Sequence, residues 1–185
     1  HQSADPEQVA NELYTALENQ PGRALNWTNS SRDFANRIRF CRHHGANELP
    51  DPDDAMTLLR LICRGRRSID DLKRADLAQA LSSTMTYAMS KQLDEWAPTR
   101  YRLPRGRSAK VTYDDPTAPV MSARVQDFFG LDQSPTLAQG RATVVCHLLA
   151  PNGRPAQVTS DLAGFWAGSY SDVRKALRGR YPKHD

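Results

Sequence analysis

Three cysteines in 185 residues are too few, too far apart and wrong in parity for a disulfide framework; Cys41, Cys63 and Cys146 share no paired spacing. A reducing, cytoplasmic setting is therefore the expectation. No run approaches the ~18 consecutive apolar residues that a spanning helix needs, which argues against a membrane protein. No apolar leader of the secretory kind opens the chain. Catalytic patterns are missing as well: there is no G-x-x-x-x-G-K-[ST] phosphate loop, no G-x-S-x-G elbow and no H-E-x-x-H pair. Cys146 and His147 are neighbours, so on a strand they would point to opposite faces and could not work as a thiolate–imidazole pair. Asp114-Asp115 sits in a proline-rich loop without a partner base, and His43-His44 lacks further metal ligands at suitable spacing. The sequence offers no catalytic residue, no metal set and no cofactor motif of its own.

What the chain does carry is arginine. Lys and Arg number 25 against 21 Asp and Glu, a net charge of only +4, but the excess is mostly arginine and is clustered. A planar guanidinium fork matches phosphate, which turns the partner expectation toward nucleic acid; a merely solvated basic surface is the competing reading.

The first half reads as helices. Asp5-Pro6 is a start signal, followed by Val9, Leu13 and Leu17 on one face. A second helix is expected from Ser31 to His44, with Phe34, Ile38 and Cys41 inward and Arg32, Arg37, Arg39 and Arg42 around them. Further helices are expected from Asp53 to Cys63, after the cap residue Ser68, and over one long pattern from Asp76 to Trp96. From Thr99 the character changes. Arg100 to Leu103 and Ala109 to Tyr113 alternate around the turn Pro104-Arg105-Gly106-Arg107, which predicts a hairpin. Met121, Val125, Phe128 and Phe129 fall at helical spacing before Gly130. Ala142 to Leu149 reads as one buried strand, Pro151 to Arg154 as a turn, and Ala156 to Thr159 as a returning strand. A final helix from Asp161 to Arg178 carries the stripe Leu162, Phe165, Trp166, Tyr170, Val173 and Leu177, whose spacing suits a core.

The fold expected is α+β. A mostly helical segment, 1–97, precedes a β-rich domain, 98–185, with a small antiparallel sheet or a partly open barrel of the OB type and flanking helices. Two basic clusters are candidate nucleic-acid contacts. Arg100, Arg102, Arg105, Arg107 and Lys110 crowd the hairpin, where Tyr101 and Tyr113 could stack bases or face the core. Arg174, Lys175, Arg178, Arg180 and Lys183 form the second cluster, and Arg141 and Arg154 stand beside turn glycines.

Several segments carry a family resemblance. Val125-Gln126-Asp127-Phe128-Phe129-Gly130-Leu131 is similar to a V-R-x-Q-E-x-F-G pattern, and Ala138-Gln139-Gly140-Arg141 with Leu148-Leu149-Ala150-Pro151 to A-x-G-R…L-L-S-P. Arg154 to Trp166 resembles R-P-x-Q-x-T-x-D-L-x-x-F-W, and Arg178-Gly179-Arg180-Tyr181-Pro182-Lys183-His184 completes the set. Together they resemble the C-terminal region of HrpB-type bacterial ATP-dependent helicases of the DEAH-box (DExH) class, from about residue 98 onward. The family's RecA-like motor, with its Walker and D-E-x-H motifs, maps to no position here, so ATP and Mg would belong to that motor and not to this chain. The resemblance implies an accessory module. Its partners would be RNA or another single-stranded nucleic acid and the motor domains of the same parent. A structural domain that docks on the motor or on a protein partner, without touching nucleic acid, is the alternative.

Overall fold

The computed structural model describes residues 5–182. Helix α1 (Pro6–Leu17) starts where Asp5 accepts the Glu7 N–H. A short 3-10 turn, Pro21–Arg23, leads to α2 (Asn29–His43). That helix begins before the expected Ser31 because Thr28 caps it. Thr28 Oγ1 accepts the Ser31 N–H and Ser31 Oγ accepts the Thr28 N–H, a reciprocal box closed by serine. Asp54 caps α3 (Ala55–Cys63), taking both N–H and hydroxyl of Thr57; these bonds hold its carboxyl below the usual range. Ser68 caps α4 (Ile69–Lys73).

The long helix expected from Asp76 to Trp96 is two, α5 (Leu77–Ser83) and α6 (Tyr87–Trp96). The hydroxyls of Ser82, Ser83 and Thr84 turn back onto the carbonyls of Ala78, Ala80 and Leu81, and Thr86 then caps a fresh start by accepting the Met89 N–H. Hydroxyl side chains that compete for backbone groups end a helix that the apolar period alone would continue.

The second half is built on β1 (Arg100–Arg102), β2 (Ser108–Thr112), β3 (Val120–Arg124), β6 (Val145–Leu149) and β7 (Pro155–Thr159), in the order β1-β2-β3-β6-β7. A separate hairpin pairs β4 (Thr136–Leu137) with β5 (Ala142–Thr143). The expected helical turn around Met121 is strand β3, followed by a 3-10 turn, Val125–Phe128. The sheet is mixed where a purely antiparallel one was expected: β3 and β6 run parallel, joined by a crossover through the 3-10 turn and the small hairpin. It is also open; among the described residues nothing pairs β1 with β7 to close an OB-type barrel. The single strand expected over Ala142–Leu149 is split at Val144, where the chain leaves the hairpin to join β3; there Val144 N bonds Pro135 O and Val145 N bonds Pro119 O. The last expected helix is also two, α7 (Leu162–Ala167) and α8 (Tyr170–Arg180), divided at Gly168-Ser169.

One face of the sheet is buried. Val111, Met121, Cys146 and Leu148 join Ile38 and Cys41 of α2, Trp96 of α6, Phe165 of α7 and Leu177 of α8 in one core. A second cluster, with Leu17, Leu59, Ile62, Leu72 and Leu77, binds α1, α3, α4 and α5 together. Each such side chain, fully buried, contributes about 1.5–3 kcal/mol.

Candidate nucleic-acid interface

Alternation along β2 sends Ala109 and Val111 into the core and leaves Ser108 and Lys110 exposed. Strand register carries that outer face across the sheet: Arg100 lies opposite Lys110, Lys110 opposite Ser122, Ser122 opposite His147, and His147 opposite Val158. Arg102 and Arg124 share the face, two residues along from Arg100 and Ser122. None of the five strands contains Asp or Glu. Arg100 bonds the Ser108 hydroxyl and carbonyl; Arg102, Lys110 and Arg124 make no ion pair among the described residues. Arg124 was not among the sequence-predicted contacts, and His147 was read only as the strand neighbour of Cys146. The helical reading of Met121–Phe129 had placed Arg124 on no sheet.

The hairpin tyrosines face the core, not a strand of bases. Tyr113 is 3% exposed, packs on Phe40 and donates its hydroxyl to Pro98 O; burial pushes its pKa up. Tyr101 is half-buried against the core. The turn arginines point elsewhere too. Arg107 approaches Asp127 at 4.0 Å, while Arg105 reaches Gln126 O and sits 5.9 Å from the Phe129 ring centroid.

That places Arg105 beside an open groove of about 770 Å³, walled by Phe129, Trp166 and Tyr170, with Ala163 and Ala167 along it and Arg174 and Asp132 at its rim. Tyr170 stands edge-on to both Trp166 and Phe129, at centroid distances of 5.0 and 6.1 Å. The wall is held in place. Trp166 Nε1 donates to Leu131 O, and Ser134 Oγ accepts the Leu162 N–H while donating to Ser160 O. Of the stripe read as core, Phe165 is 3% exposed and fits that reading, but Trp166 and Tyr170 are only half-buried and line the groove. Steps of four (Trp166, Tyr170, Arg174) were the available signal; Phe129 joins them from a distant loop.

The remaining candidates lie apart. Arg141 stacks on Trp96, with Cζ 4.8 Å from the ring centroid, and bonds Ala138 O and Gln139 Oε1. Arg154 and Arg180 meet at a smaller groove between the β6–β7 turn and α8, of about 390 Å³. The backbone N–H groups of Arg141 and Arg154 are engaged by Ala138 O and Asn152 Oδ1, leaving only side chains for an anion. Lys175 and Arg178 are exposed on α8; Lys183 and His184 lie outside the described residues. Burial raises the thiol of Cys41 to about 12 and that of Cys146 to about 11. Among the described residues no group of three or more His, Cys, Asp or Glu could hold a metal, and no helix is long and apolar enough to cross a membrane.

Residues 58–185 match the family described as HrpB_C, ATP-dependent helicase C-terminal. The chain is similar to the ATP-dependent RNA helicase HrpB of Escherichia coli (strain K12), at 36% identity over 171 residues, which is 86% of this chain and 21% of that protein. Two solved structures share the architecture. One, of the E. coli DExH-box NTPase HrpB, superposes over 100% of this chain and 24% of its own at TM-score 0.88 and 31% identity. The other, of the E. coli DEAH/RHA helicase HrpB, covers 98% of this chain and 24% of its own at TM-score 0.77 and 32% identity. The chain thus spans about a fifth to a quarter of the length of these relatives. With residues 58–185 matched by the family model and the whole chain superposing on a solved HrpB at TM-score 0.88, the chain belongs to the HrpB C-terminal family of ATP-dependent helicases.

Proposed function

We propose that this chain is the accessory module of a cytoplasmic ATP-dependent RNA helicase, and that the outer face of its sheet holds the phosphate backbone of single-stranded RNA. The motor of the parent would bind ATP and Mg and move the strand, and this module would dock beside it. One observation carries the reading: Arg100, Arg102, Lys110 and Arg124 lie on one sheet face whose strands contain no carboxylate. Cations that are not spent on internal ion pairs can release counterions from a nucleic acid, with log K falling by about 0.7 per phosphate neutralised on a single strand for each unit of log salt.

Four such contacts give a slope near −3 by that rule. The test is fluorescence anisotropy of a labelled single-stranded RNA with this chain across a salt series. Arg102→Glu with Lys110→Glu is expected to weaken binding and to flatten the slope by about 1.4. No binding by the wild type at low salt would remove the reading and leave docking on the motor as the role of the module.

A further inference from the structure

We propose that the groove between Phe129, Trp166 and Tyr170 takes an unpaired nucleobase of the bound strand. This rests on the reading of the sheet face as a single-strand contact and adds a second mode of contact to it. The groove is apolar along its walls and has cations beside them: Arg174 lines it, and Arg105, from the β1–β2 turn, lies over Phe129. A ligand that suits both is flat and apolar in its body and anionic at its edge, which describes a nucleotide. The volume of about 770 Å³ exceeds one base and lies within the usual range of small-ligand sites.

Asp132 fixes the direction. A carboxylate at the rim repels phosphate and accepts N–H groups, so the amino edge of the base turns toward Asp132 and the phosphates toward Arg105 and Arg174. Continuity with the proposed strand path comes from Arg105 itself, which belongs to the hairpin that carries Arg102 and Lys110 and also touches the groove wall. The bonds from Trp166 to Leu131 O and from Leu162 to Ser134 hold the groove open before anything binds. Stacking on a ring is available to every base and needs no particular sequence.

Stacking and phosphate contact respond differently to salt, and that separates the two proposals. Tyr170→Leu keeps the apolar volume and removes the π face. Ala167→Met fills the groove from an exposed helical position and leaves the core untouched. In anisotropy titrations of a single-stranded RNA, both variants are expected to weaken binding roughly tenfold; Tyr170→Leu should leave the salt slope unchanged because it removes only stacking, whereas Ala167→Met, by expelling the base and its phosphates from Arg105 and Arg174, should also flatten the slope by up to about 1.4. RNA quenching of Trp166 fluorescence, present in the wild type, should disappear in Ala167→Met. Salt-dependent binding by the wild type that both variants retain at full strength would overturn the groove proposal alone. Absence of RNA binding at any salt would overturn it together with the reading of the sheet face.

Discussion

Replacing Gly164 by alanine sets two terms of similar size against each other, and the structure says which partner decides the result. Gly164 is the third residue of α7, and its N–H donates to the capping carboxylate of Asp161 at 3.0 Å. A Cβ built there would lie 2.9 Å from Asp161 Cγ and closer still to Oδ2, so the carboxylate must swing off the cap. Loss of an N-cap costs about 1 kcal/mol. Removing glycine from a helix returns about 1 kcal/mol. Gly164→Ala alone should therefore leave stability nearly unchanged. In an Asp161→Ala background there is no cap left to lose, and the same substitution should stabilise by about 1 kcal/mol. That difference corresponds to roughly 2–4 °C in Tm for a chain of this size. Urea and thermal unfolding of the four proteins of the cycle measure the coupling directly. An equal gain in both backgrounds would show that the Asp161 carboxylate does not occupy the space over Gly164, and the account of how α7 starts would fail with it.

Two further glycines should separate backbone strain from packing, since neither has an atom within 4 Å of a built Cβ. Gly140 has φ +85°, so Gly140→Ala should destabilise by about 1 kcal/mol through the left-handed backbone alone. Gly179 lies inside α8, and Gly179→Ala should stabilise by up to about 1 kcal/mol; thermal melts read both signs. The thiols of Cys41 and Cys146 should resist an aromatic disulfide reagent near about pH 8 until the chain unfolds, because burial keeps both protonated. Their raised folded pKa values give a stability that is fully present below the unfolded thiol value, about 8.5, and declines as pH rises toward about 11 and about 12. The urea midpoint should accordingly fall on the alkaline side, and fast native labelling would refute the burial argument.

Helix starts were legible where one residue writes them: Asp5 and Ser68 cap as their types predict, while the helix expected from Asp53 starts after the cap Asp54. Interruptions were harder. Leu77, Leu81, Met85 and Leu93 keep a helical period across a break made by four hydroxyl residues, and periodicity does not register a competition for backbone carbonyls. Val120–Phe129 was misread because Met121, Val125 and Phe128 suit a helical step and also a strand followed by a 3-10 turn. The parallel β3–β6 pair joins segments twenty-odd residues apart, so no local pattern announces it. The basic hairpin was legible as sequence, but the groove was not: Phe129 reaches Trp166 and Tyr170 only through the fold.

The contrast between the two halves bears on what the outer face is for. In the helical half several arginines are already occupied. Arg37 bonds Ala97 O and Asp94, Arg39 bonds Asp53 and Asn36, Arg42 bonds the carbonyls of Asn47 and Leu49, and Arg60 stacks on Tyr14. Through Arg37, Arg39 and Arg42, α2 is thereby a tie between elements. Exposed cations on a sheet have a simpler use, since charge on an edge strand blocks pairing with another chain. That use covers Arg100 and Arg102, which lie on the edge strand β1. It does not cover Lys110 or Arg124, which lie on β2 and β3, strands with a neighbour on each side. Two interior cations face solvent there, with no carboxylate on any strand beside them. A polyanion laid across the face would meet Lys110 and Arg124 as unspent charges, whereas Arg105 and Arg107 of the crowded turn already reach Gln126 O and Asp127.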